Sequence, residues 1–152
     1  MWRAPFSLTL IALPFVTLIA SCGDSSSTSI GTFSAEPLVT VTSASGNLKV
    51  DLRTSPSQPP SRGQQSVQLV ITDAATGAPK TGLDLVMTPW MPAMGHGASV
   101  TPSVTEKSPG TYVVDDVDLF MPGTWELRTT IAAASQSKGT DTDHVAPSFQ
   151  IP

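Results

Sequence analysis

Trp125-Glu126-Leu127-Arg128-Thr129-Thr130-Ile131 is the stretch on which the fold turns. Apolar side chains at 125, 127 and 131 alternate with charged or polar ones, the two-residue period of a strand with one buried face and one wet face. The same alternation recurs upstream at Val39 and Val41, at Leu48, Val50 and Leu52, and at Val67, Leu69 and Ile71. It continues in Leu83-Asp84-Leu85-Val86-Met87 and Thr111-Tyr112-Val113-Val114, and Ser148-Phe149-Gln150-Ile151 closes the series. No stretch sustains helical spacing. Turn residues separate the runs: Ser45-Gly46-Asn47, Asp73 to Pro79 with Gly77, Ser108-Pro109-Gly110 and Met121-Pro122-Gly123. One domain over residues 37–152 is expected, an all-β, immunoglobulin-like antiparallel β-sandwich of about seven strands. Ser55 to Gln64, with Pro56, Pro59 and Pro60, reads as an irregular connection or edge, and Ala132 to Asp143 as a loose hairpin tip or long loop.

Ahead of this domain Arg3 precedes an apolar run from Phe6 to Ala20, and Ile19-Ala20-Ser21-Cys22 has the form of a bacterial lipobox. Residues 1–21 are therefore expected to be a lipoprotein signal peptide, cleaved before Cys22, which would carry the acyl chains into membrane lipid. The run falls short of the roughly 20 apolar residues of a spanning helix and is broken by Pro14, so a retained transmembrane anchor is the weaker alternative. Residues 22–36 are expected to be the lipidated cysteine and a flexible tether, with Gly23 to Ala35 rich in Ser, Thr and Gly. The expected location is the cell envelope, on a bacterial membrane and facing the periplasm or the exterior.

Charge and cysteine content narrow the chemistry. Eight Lys and Arg against twelve Asp and Glu give a formal charge of -4, which leaves no basic excess to attract nucleic acid. Cys22 is the one cysteine, so the mature domain offers neither a disulfide nor a thiolate ligand. No Ser-His-Asp or Cys-His arrangement, phosphate-binding glycine loop or His-Glu-x-x-His signature is present, and an enzyme is not expected.

Met91-Pro92-Ala93-Met94-Gly95-His96-Gly97 packs two thioethers and an imidazole into six positions. Pro92 biases Met91 toward an extended backbone, and Gly95 and Gly97 admit dihedrals closed to other residues, so the side chains can converge. Thioether sulfur is soft and carries no proton to lose, and imidazole is borderline, a donor set that favours Cu(I) over zinc, calcium or magnesium. A sandwich gathers its loops at two ends. Met121, in the turn before the Trp125 strand, could therefore meet Met94 and His96 and supply a second sulfur, with Met91 as a further candidate. Against this stands the plainer reading, in which methionines fill core gaps and the histidine is a hydrogen-bonded polar residue.

The pairing of Trp90-Met91-Pro92-Ala93-Met94-Gly95-His96-Gly97 with Gly110-Thr111-Tyr112 and Phe120-Met121-Pro122-Gly123-Thr124-Trp125-Glu126-Leu127 resembles the YtkA-like family, related to FixH-type proteins. The resemblance covers roughly Ser66 to Ile131. It implies an immunoglobulin-like sandwich outside the cytoplasm, associated with copper handling or with delivery of copper to respiratory oxidases, and hence a copper-accepting or oxidase partner. By motif position it carries Met94, His96 and Met121 across as candidate ligands, and Met91 less directly. FixH-type proteins proper have a spanning anchor, whereas this leader reads as a lipidation signal.

Two functions follow as expectations. One is an extracytoplasmic lipoprotein that binds Cu(I) through the Met/His loop as a buffer or metallochaperone. The other is a metal-free interaction module whose apolar, methionine-bearing loop docks an envelope or oxidase-assembly partner. Trp90 and Trp125 are expected as core or rim aromatics and Met87 as buried. His144 in Asp141-Thr142-Asp143-His144 is expected in a solvated loop, and Asp115-Asp116-Val117-Asp118 as a charged strand end or turn.

Overall fold

The computed structural model describes residues 32–133 and 142–152. The expected leader at 1–21, Cys22, the tether up to residue 31 and positions 134–141 of the expected 132–143 loop lie outside the described residues. Within them every regular element is a strand. In chain order these are β1 (Val39–Thr42), β2 (Leu48–Ser55), β3 (Gly63–Asp73), β4 (Leu83–Met91), β5 (His96–Gly97), β6 (Ser103–Ser108), β7 (Thr111–Leu119), β8 (Gly123–Ala133), β9 (Asp143–Val145) and β10 (Ser148–Ile151).

Two sheets face each other. One runs β1-β2-β3-β7-β6 and the other β10-β8-β4-β5, with β9 pairing β8 further along the edge that β10 occupies. All pairings are antiparallel. The alternation read from the sequence is the packing itself. Val50, Leu52, Val67, Leu69, Ile71, Tyr112 and Val114 point inward from the first sheet, and Leu85, Met87, Met91, Trp125, Leu127 and Ile131 meet them from the second. Met87 is buried as expected, and Trp125 is fully so.

The seven expected strands all form, and three more accompany them. β5 and β9 are only two and three residues long, and β6 is an edge strand whose side chains are mostly exposed, so none carries an alternating apolar signal. His144 thus lies in β9, exposed, opposite Thr130. The acidic run 115–118 is neither a strand end nor a turn. It lies inside β7, where three steps from Val114 to Val117 oppose two steps from Val67 to Gln65. Asp116 takes up this bulge with φ at 64°, a left-handed conformation that Asp tolerates better than most residues. The bulge shifts the inward phase of β7 from Tyr112 and Val114 to Val117 and Leu119.

At the end of the sandwich where β3 stops and β4 and β7 begin, polar groups tie the layers together. The Tyr112 hydroxyl donates to the Lys80 carbonyl (2.9 Å) and accepts from the Leu83 amide (3.1 Å), so one buried phenol bridges the chain between the two sheets. Glu106 accepts from the Gly82 and Gly110 amides, and Asp143 from the Ser45 amide and hydroxyl. Partial burial pulls the Asp143 carboxyl upward, but hydrogen bonds from Ser43, Ser45 and the His144 amide outweigh it and hold the pKa at about 2. Asp73 is held well below the usual carboxylate range, first by Lys80 at 2.8 Å and then by Thr76.

Candidate functional site

The opposite end is built differently. β4 extends through Met91, Pro92 to Gly95 turn back, and His96 pairs with Met91 while Gly97 pairs with Trp90. The expected Met/His loop is a tight hairpin, closed by the Met94 and Gly95 amides donating to the Met91 carbonyl at 3.1 and 3.0 Å. Pro89 is tolerated in β4 because the residue's N and C=O face the same side. That side is the β5 side, where the Pro89 carbonyl accepts from the Ala98 amide and no donor is called for.

The two glycines of the motif act for different reasons. Gly95 has φ at 67°, as a turn needs. Gly97 has no positive φ; it is required because a Cβ there would lie 2.5 Å from the Pro89 carbonyl oxygen and 3.5 Å from the Trp90 ring. Close approach of β5 to β4, rather than dihedral freedom, is its role.

The second turn, Phe120 to Pro122, enters β8 at Gly123. Its geometry is set by the buried Trp125 indole, whose Nε1–H donates to the Met121 carbonyl at 2.9 Å. Two contacts join it to the hairpin. The Phe120 ring lies nearly parallel to the His96 imidazole, centroids 6.2 Å apart at 18°, and sets its edge against Trp125 at 5.5 Å and 73°. From below, the Met91 Cε approaches to 2.9 Å of where a Gly123 Cβ would stand. The turns carrying Met94, His96 and Met121 therefore share one end of the sandwich, as the antiparallel pairing of β4 with β8 dictates.

The four candidate side chains differ in setting. Met91 is 3% exposed and belongs to the core. Met121 is half-buried against that core, His96 is half-buried, and Met94 at the hairpin tip is 53% exposed. The His96 Nδ1 lies 3.2 Å from the Gly97 carbonyl. A carbonyl only accepts, so Nδ1 carries the proton in this bond and the neutral ring keeps its lone pair on Nε2. Chemically the end offers two soft sulfurs outside the core and one available imidazole nitrogen. Among the described residues no three His, Cys, Asp or Glu side chains come together, so the donors that hold zinc or calcium are not assembled there.

Phe120 is the residue without a role in the sequence reading. It lies inside the motif stretch 120–127, and its 41% exposure despite its size marks it as part of the tip rather than of the core. Trp90 flanks the hairpin on the outer face, with the Arg128 guanidinium 4.8 Å over its ring and Arg128 paired with Glu126 at 2.8 Å. It is a rim aromatic, as expected.

Comparison with known proteins agrees with this architecture. A family model described as YtkA-like matches residues 42–130, more than half of the chain. Among curated proteins none matches. Among solved structures the chain is similar to a copper-bound variant of FetP from uropathogenic Escherichia coli. The identity is 12% over 76% of this chain and 96% of that one, with a TM-score of 0.52. A second FetP structure, of the as-isolated protein expressed recombinantly in the periplasm, gives 12% identity, 74% and 91% coverage and a TM-score of 0.50. At this identity the likeness is one of fold.

Proposed function

The chain belongs to the YtkA-like family, and from that premise we propose that it is an extracytoplasmic copper-binding protein that buffers Cu(I) or passes it to a partner. One observation carries the reading. Two separate turns place Met94, His96 and Met121 at the same end of the sandwich, with the imidazole Nδ1 engaged by Gly97 and Nε2 left available. Copper is cargo here. Met94, His96 and Met121 are the proposed ligands, and soft sulfur with imidazole is the donor set that selects a cuprous ion. The Gly97 carbonyl would act as the outer partner that orients the histidine. Met91, buried and packed against Gly123, supports the turns from beneath in this reading. The copper-bound FetP variant supports copper as the metal, and the recombinant periplasmic expression of as-isolated FetP supports an extracytoplasmic location.

A binding role rather than catalysis is part of the proposal, as is anchoring through acylated Cys22, which rests on the lipobox alone. A copper-accepting protein, such as a respiratory oxidase or its assembly factor, would be the partner. The metal-free docking module remains the second reading, favoured by the exposure of Met94 and Phe120 on two turns at the same end, with few charges in either turn.

A Cu(I) competition titration against a chromogenic chelator tests the first reading, with wild type, Met94→Leu, His96→Ala and Met121→Leu. The wild type is expected to withdraw copper, and each variant to bind more weakly by at least about tenfold, since even outer partners of ligands cost that much. Equal, weak affinities across the series would reject the metal site. Retained binding of a partner protein by His96→Ala in metal-free buffer would favour the docking module.

A further inference from the structure

The methionines of the domain form a graded series. Met87 and Met91 are 2% and 3% exposed inside the core, Met121 is half-buried against it, and Met94 stands 53% exposed on the hairpin tip. We propose that Met94 is a site of oxidation to the sulfoxide by peroxide, and that this modification lowers the affinity of the end for Cu(I) without disturbing the fold. The inference rests on the copper reading given above and adds a regulation to it.

The chemistry is a two-electron oxygen transfer. A lone pair on the Met94 sulfur attacks one oxygen of hydrogen peroxide, the O–O bond breaks, and the departing hydroxide takes up the proton left behind and leaves as water. Sulfur is oxidised by two electrons and peroxide is reduced by two. The reaction needs collision with peroxide from the solvent, which Met94 permits and the core excludes at Met87 and Met91. The product is a polar sulfoxide whose hard oxygen replaces the soft sulfur as the available donor, the wrong partner for a cuprous ion.

The surroundings explain why the fold would survive. The hairpin around Met94 is held by backbone hydrogen bonds from the Met94 and Gly95 amides to the Met91 carbonyl, and the strand beyond it by the absence of a Cβ at Gly97. Neither contact involves the Met94 thioether. A sulfoxide at Met91 would instead place a polar oxygen within the buried apolar core. The exposed methionine can thus change its donor character while the buried ones keep the scaffold.

The test uses the full-length protein, metal-free and in detergent, treated with hydrogen peroxide and sampled over time by peptide mass spectrometry, circular dichroism and Cu(I) competition. Met94 is expected to gain one oxygen first, Met121 later, and Met87 and Met91 last. Circular dichroism should hold steady while Cu(I) affinity falls by at least about tenfold in step with Met94 conversion, as for loss of a ligand. In Met94→Leu the same exposure to peroxide should change the affinity no further until Met121 reacts. Oxidation of Met87 or Met91 as fast as Met94, or loss of the dichroic signal as Met94 converts, overturns the inference. Untreated protein that binds Cu(I), and binds it equally after complete Met94 conversion, overturns this inference alone. Untreated protein that fails to bind overturns the copper reading and this regulation with it.

Discussion

The two ends of the sandwich hold together by opposite means. At one end Tyr112, Glu106, Asp73 and Asp143 satisfy backbone amides and a lysine with directed hydrogen bonds, and each of the three carboxylates has at least one hydrogen-bonding or ionic partner. At the other end Met91, His96, Phe120 and Trp125 touch through apolar and aromatic surface, and one histidine nitrogen is left free of the closing bonds. An end whose phenol and carboxylates are engaged in this way is a clasp. An end whose soft donors are not needed to close it can hold something else.

Breaking the soft end from beneath should have the largest effect on stability. Met91→Ala removes a buried side chain that packs against Gly123 and the core, and is expected to cost about 2–5 kcal/mol. Urea unfolding measures it. A change near zero would mean that the two turns are held apart from the core and that the packing of Met91 under both is inconsequential. At the polar end, Tyr112→Phe leaves the Leu83 amide and the Lys80 carbonyl without their shared partner and should cost about 1–3 kcal/mol. Its effect on Cu(I) binding should be nil, since the phenol lies at the far end. Copper loss proportional to the stability loss would show that the two ends are not separable.

Acid sharpens the contrast in the same direction. Asp143 has a folded pKa of about 2 against an ordinary 3.8, so the folded state favours the ionised form. The stabilisation is complete above the unfolded value and is lost as the pH falls from about 4 toward 2, because the unfolded chain takes up the proton first. Asp73, lowered further by Lys80, works with the same sign. Urea midpoints measured across that window should fall for wild type and fall less for Asp143→Asn. Identical slopes would show that the Ser45 and His144 bonds to Asp143 do not stabilise the native state.

How much of this was legible in the sequence depends on whether a residue's role follows from its own neighbours. The seven expected strands announce themselves by alternation, and the pairing of β4 with β8 puts Met91 and Gly123 at the same end once both strands are found. β6 carries no such signal because Ser103 to Ser108 contains a single valine, and β7 runs on past its alternating start because the phase changes across Asp115 and Asp116. At the site, Met94, His96 and Met121 could be named from residue type. What could not be read was that Met91 points inward, a matter of strand parity at the last residue of β4, or that Phe120 pairs with His96, which depends on two turns meeting. Gly97 was legible as necessary but for another reason, since backbone clash with Pro89 appears only when β5 lies beside β4.

The smallest expected change in stability is the most discriminating. Met94→Leu keeps the size and apolar character of an exposed side chain and leaves the two amide bonds to the Met91 carbonyl untouched. Such surface substitutions lie within about 0.5 kcal/mol of neutral, so the urea midpoint should not move. The same variant lacks the soft donor and should bind Cu(I) more weakly than wild type. A variant equal to wild type in both measurements would make Met94 an ordinary exposed side chain and shift the weight of any metal binding to His96 and Met121. A variant that loses stability would show that the thioether closes the hairpin, and the contrast between a clasped end and an available one would fail at its most exposed residue.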